Sequence, residues 1–199
     1  MRHFGFSDKL SSDETFDISI INKWWGKHTA HTINAAIAMK KNDQALLNKS
    51  LSELTSGAAR WGDLVSRAFS PYFGSEMNQD DVRIQAEKLM HGHLDGAKEL
   101  LIAYISKNGE PNAVRMAAEK LTNNTNIQEA FLNRAIYGFE PRNFIELFKE
   151  HIRLIFAYAD ALAKKDITKF RIATDLAKKN AERLDNFFES MFEQGGGSR

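Results

Sequence analysis

Three histidines stand at matched places in this 199-residue chain: His28 in KHTAHTINAAIAMKKND, His93 in HLDGAKELLIAYISKN and His151 in EHIRLIFAYADALAKKD. Each precedes an Asp or Asn by fifteen residues: Asp43, Asn108 and Asp166 respectively. Imidazole is a good ligand for zinc, iron and other divalent transition metals. Three imidazoles around one ion leave a coordination position open, which suits binding, hydrolytic or oxygen chemistry. The competing reading is structural. Histidine is of intermediate burial, and three of them on partly buried helix faces can each bond a neighbour without any ion.

The remaining histidines are weaker candidates. His3 lies near the start of the chain, His31 is the i, i+3 neighbour of His28, and His91 is two residues from His93. Residues two apart on a helix point in nearly opposite directions, so only one of His91 and His93 can face inward. Carboxylates that could complete a metal set are Asp95, Glu99, Glu150 and Asp160. The di-iron Glu-x-x-His pair and the His-Glu-x-x-His zinc motif are both absent. So are the glycine-rich phosphate loops. A second cluster is aromatic: Trp24, Trp25, Trp61, Phe69, Tyr72 and Phe73 crowd into one third of the chain. Trp24, Trp61 and Tyr72 are the candidate cofactor-binding residues if this cluster lines a pocket; otherwise it is core. The late stretch FFESMF closes a packed helix, or forms a dimer surface if Phe187 and Phe192 are exposed.

Long helices are needed to hold these residues. The chain has three prolines and twelve glycines. Pro111 and Pro141 each begin a segment of helical period, where a proline costs no hydrogen bond. The spacing predicts six helices, over roughly 15–41, 43–69, 78–107, 111–134, 141–164 and 166–193. Ser11 and Glu14 have capping-box spacing, and Asn78 followed by Asp80 and Asp81 suits a helix start. The stripe Phe144, Leu147, Phe148, His151, Leu154, Ile155, Tyr158 and Leu162 places His151 on an apolar face. His93 lies on a stripe with Leu89, Ala97, Leu100 and Tyr104, and His28 on one with Trp24, Thr32, Ala35 and Met39. No segment alternates with period two, so no sheet is expected.

The helices pair into three antiparallel hairpins, roughly 15–69, 78–134 and 141–193, with a period of about 60 residues. Aligning them brings the three histidines into register. On the following helices the same alignment matches Gly57, Asn123 and Asn180, the two asparagines being read as buried and bonded across helices. Neighbouring helices lie about 8–10 Å apart. Hairpins stacked in a row would therefore hold the histidines near 20 Å apart, and only hairpins closed around a pseudo-threefold axis would let them meet.

The segments SPYFGSE, KLMHGHLDGA, NIQEAFLN and FKEHIRLIFAYADALAKKD resemble the pattern of a family of uncharacterised bacterial all-helical proteins, over roughly residues 24–190. The resemblance implies an all-α fold and no known activity. Ser56 and Gly57 depart from the asparagine expected in the second helix.

Composition bounds the rest. There is no cysteine, which excludes disulfides, thiolate metal sites and cysteine nucleophiles. Lysine plus arginine number 27 against 26 acidic residues, without the basic excess of a phosphate-tracking protein, so nucleic acid is not expected as a partner. The polar opening and the lack of any apolar run of about 18 residues argue against a membrane segment and for a cytoplasmic protein. GGGSR at residues 195–199 reads as a flexible linker after a single helical domain, 1–194. The expectation is an all-α six-helix bundle of three tandem hairpins. Its function is read as a soluble binding protein holding a divalent transition metal or small ligand through His28, His93 and His151. The alternative is a ligand-free interaction or scaffold protein, as a homo-oligomer or with a protein partner. An enzyme ranks last, because no acid–base or nucleophile set is legible.

Overall fold

A computed structural model of the chain describes residues 23–69 and 77–196. The described residues form six helices: α1 (Trp24–Lys41), α2 (Gln44–Arg67), α3 (Gln79–Leu101), α4 (Pro111–Ala135), α5 (Pro141–Ala163) and α6 (Ile167–Gly196). A π-helical turn, Ile102–Ser106, extends α3. Among the described residues there is no strand, only an isolated antiparallel bridge between Phe69 and Ile136. The fold is the expected all-α bundle. Residues 15–22 of the expected first helix, the 11–14 cap and Tyr72 lie outside the described residues. No helix of the described residues is long and apolar enough to cross a membrane.

The hairpins α1–α2, α3–α4 and α5–α6 are packed through α2 on α3, α4 on α5 and α6 on α1. That succession closes a ring. α5 touches both α1 and α3 at its centre, and the even-numbered helices pack outside. α1 is the most enclosed, with every residue from His28 to Ala38 buried. Ala30, Ala35, Ala36 and Ala38 keep it slender enough for helices to pack on all sides. A helix without a solvated face belongs in a core.

The first and third hairpins turn in the same way. Asn42 and Lys165 adopt left-handed backbone, with φ of 55° and 60°. The next amide donates five residues back, from Asp43 to Ala38 O and from Asp166 to Ala161 O, both at 2.9 Å. This is the Schellman closure of a helix end. The same aspartates then cap the next helix: Asp43 Oδ1 accepts from Leu46 N and Asp166 Oδ1 from Lys169 N.

The middle hairpin is longer. Asn108 marks its turn, where Asp43 and Asp166 start the next helix in the other two. It is left-handed, with φ 53°, and Gly109 follows it with φ 74°. Glu110 caps α4, accepting from Asn112 N and Ala113 N. The π turn and Gly109 each add one residue, so the shared interval matches two caps with a turn residue.

Aligning on the caps also corrects the partner position. Gly57, Asn124 and Asn180 each lie fourteen residues after Asp43, Glu110 and Asp166. Asn124, not Asn123, is therefore the equivalent residue. Asn123 is exposed, whereas Asn124 Nδ2 donates to Leu89 O at 2.9 Å. Asn180 Nδ2 donates to Leu147 O at 3.1 Å. Leu89 and Leu147 each lie four residues before the histidine of their helix. In the first hairpin that place belongs to Trp24, and the bond runs in the other direction, from Trp24 Nε1 to Gly57 O at 3.0 Å.

Candidate metal centre

Ring closure places His28, His93 and His151 together. Their ring centroids form a nearly equilateral triangle, with sides of 5.4, 5.5 and 5.6 Å. The rings are mutually tilted by 37–42°. Each offers one nitrogen, and these nitrogens all lie within 4.8 Å of one another. A tetrahedral ion with bonds of about 2.0–2.1 Å would hold its ligand nitrogens about 3.3 Å apart. Each ring would need to move inward by about 1 Å or less to reach that separation.

The site is dry. His28, His93 and His151 are 5%, 0% and 2% exposed. Five of their six ring nitrogens are buried without a hydrogen-bond partner: Nε2 of His28 and both nitrogens of His93 and of His151. The expectation that each would bond a neighbouring group therefore fails for these nitrogens. Aromatic rings hold the imidazoles instead. Trp24 stacks on His28 at 5.1 Å, and Trp25 sets its edge against His28 and His151. Phe148 packs against His93 and His151.

Burial fixes the protonation state. It pushes His93 down to about 3 and His151 down to about 4. His28 is held well below its ordinary value, first by burial and then by repulsion from His93 and His151. Neutral imidazole is the form that binds a metal.

The proposed carboxylates do not join the site, because the only such cluster among the described residues consists of the three histidines. Glu99, Glu150 and Asp160 pair at the surface with Lys120, Arg183 and Lys164, and Asp95 is exposed. His91 also stays at the surface, 3.7 Å from Glu87, so His93 is the inward member of that pair.

Trp24 and Trp61 meet at 4.9 Å and line an open cleft of about 450 Å³ beside the triad. Trp25 and Trp61 also pack in the core, at 1% and 2% exposure. Phe187 is partly buried against that core.

The chain was compared with protein-family models, curated proteins and solved structures, and none of them matches it. The reading of this site therefore rests on its own geometry.

One residue that positions the site left no local signal. α1 begins at Lys23 without a side-chain cap of its own. Asp185 of α6 supplies it, accepting from Trp25 N at 2.8 Å and from Gly26 N at 3.0 Å. Asp185 is itself 6% exposed, and burial raises its carboxyl against the lowering effect of those two amides. His28 lies less than one turn beyond the capped amides. Asp185→Ala is expected to cost about 2 kcal/mol, since a lost cap and two stranded amides each carry roughly 1–2 kcal/mol. Urea unfolding followed by circular dichroism checks this, and an unchanged midpoint would show that the contact is incidental.

Proposed function

We propose that this protein binds a divalent transition metal through His28, His93 and His151. One observation carries the reading: three buried, neutral imidazoles from three hairpins converge with five of their six nitrogens unpaired. A buried polar atom without a partner costs roughly 1–3 kcal/mol. Five such atoms in one cluster are an expensive way to fill a core that apolar side chains would fill without penalty. An ion gives one nitrogen of each ring a partner and turns the cluster into a ligand set. All-nitrogen ligation favours zinc, copper, nickel, cobalt or iron over magnesium or calcium.

The binding is expected to be exchangeable. Metal-bound histidines usually donate their second nitrogen to a carbonyl or carboxylate, and losing such a partner weakens binding about 10–100-fold. Both nitrogens of His93 and His151 lack protein partners, so neither ring is oriented in that way. The bundle also has its own apolar core independent of the site. This favours a protein that takes up and releases an ion over one that needs the ion to fold.

Elemental analysis of protein purified without a histidine tag, followed by zinc titration of the chelator-treated protein, tests the reading. About one equivalent per chain is expected, lost on dialysis against a chelator. Failure of the stripped protein to take up zinc, cobalt, nickel, copper or iron would end it.

A further inference from the structure

The first hairpin closes differently from the other two: Trp24 bonds to Gly57 O, and no side chain fills the position of Gly57. Asn124 and Asn180 fill the fourteenth position after their caps and tie α4 to α3 and α6 to α5. Gly57 holds the same position in α2, and a Cβ built on it would have no neighbour within 4 Å. A narrow cavity of about 30 Å³ lies there, lined by Gly57 and Trp24 and including His28, the only member of the triad it reaches. Its exposed lining residues include Lys27 and Arg60, with Glu53 3.7 Å from Arg60. A cavity of this size admits a water, an ion or a molecule of a few atoms and nothing much larger.

Charge then limits what can bind. Three neutral imidazoles leave the full charge of a divalent ion uncompensated. The surroundings are Trp24, Trp25 and Phe148, and the cluster holds no carboxylate. An isolated charge in such a medium is costly unless paired. The protein supplies three ligands where a tetrahedral ion takes four. A fourth ligand carrying a negative charge would meet both needs.

Resting on the metal reading above, we propose that the opening at Gly57 is the entrance to the triad, and that the exchangeable fourth ligand reaching the ion through it is a small monoanion. Hydroxide is the smallest of this class, and linear triatomic anions are slim enough to follow. Lys27 and Arg60 outnumber Glu53, so the entrance carries a net positive charge, the sign that draws such ligands.

Cobalt(II) makes this measurable, because its visible absorption reports coordination number and ligand identity. Chelator-treated wild type mixed with cobalt should develop a tetrahedral spectrum, and azide should then shift it. In Gly57→Leu both steps should slow by at least about tenfold, a rise of roughly 1.4 kcal/mol in the barrier. The final cobalt content should stay the same. Gly57→Ala, which adds a single methyl, controls for folding and should be at least as stable as wild type, because glycine inside a helix is less favourable than alanine. Equal rates in wild type and Gly57→Leu would place the entrance elsewhere. A wild-type cobalt spectrum that saturating azide leaves unmoved would rule out the exchangeable anion. Absence of any cobalt spectrum in the wild type would refute the metal centre and this proposal together, a result distinct from the other two.

Discussion

His93→Leu is expected to yield a metal-free protein more stable than the metal-free wild type, and one that gains nothing from zinc. His93 is fully buried, with two unpaired nitrogens among Phe148, His28 and His151. Leucine has nearly the same volume and no polar atoms. The substitution removes a desolvation cost of about 1–3 kcal/mol without opening a cavity. In a domain of this size that raises Tm by roughly 2–10 °C. Wild type in zinc at a hundred times its Kd gains about 2.7 kcal/mol, whereas the variant has lost a ligand and its Tm should not respond. Calorimetry of both proteins, in chelator and in zinc, checks the crossing. If the variant in chelator melts well below wild type, the imidazole is making contacts that stabilise the apo fold, and the functional reading of its burial fails. Alanine would not serve, since truncation leaves a cavity that itself costs about 2–5 kcal/mol.

The metal-free wild type should unfold cooperatively in mild acid. Burial holds His93 at about 3 and His151 at about 4, with His28 also well below its ordinary value, whereas in the unfolded chain all three titrate near 6.5. Below that pH the unfolded chain binds more protons than the folded one. The stabilising contribution is therefore complete above about pH 6.5 and is lost as pH falls toward the folded values. Each group contributes about 1.4 kcal/mol per pH unit, so three contribute about 4. Two pH units therefore remove about 8 kcal/mol, which lies within the 5–15 kcal/mol typical of a domain. Asp185 acts in the opposite sense, because its raised carboxyl takes up a proton more readily when folded. Circular dichroism against pH in chelator should show a transition between roughly pH 6 and 4, made shallower by about a third in His93→Leu. Native ellipticity retained at pH 4 would mean that the imidazoles accept protons inside the fold.

Much of the architecture was written locally. Pro111 and Pro141 opened helices, and the apolar stripes chose their inner faces. The inward direction of His28, His93 and His151 followed from those stripes. Their meeting did not, because it depends on α6 packing against α1, a contact between the two ends of the described chain. Asp185 illustrates the difficulty. Its partners are backbone amides 159 and 160 residues away, and backbone amides carry no sequence signature. The slip from Asn124 to Asn123 has a smaller cause. A π turn and one glycine lengthen the middle hairpin by two residues, and an alignment anchored on His-to-Asx spacing cannot register them. The carboxylates failed for a reason sequence could have supplied in part. Glu99, Glu150 and Asp160 fall off the inward stripes, toward solvent and cationic partners.

The reach of Asp185 to the start of α1 also bears on the order in which the protein is made. A ribosome that has reached residue 160 has already delivered all three histidines, but not the helix whose carboxylate fixes the first of them in place. The gathering of His28, His93 and His151 is thus a property of the whole bundle and not of the segments that carry them. A product stopped short of Asp185 carries all three histidines without the contact of α6 on α1 that completes the ring.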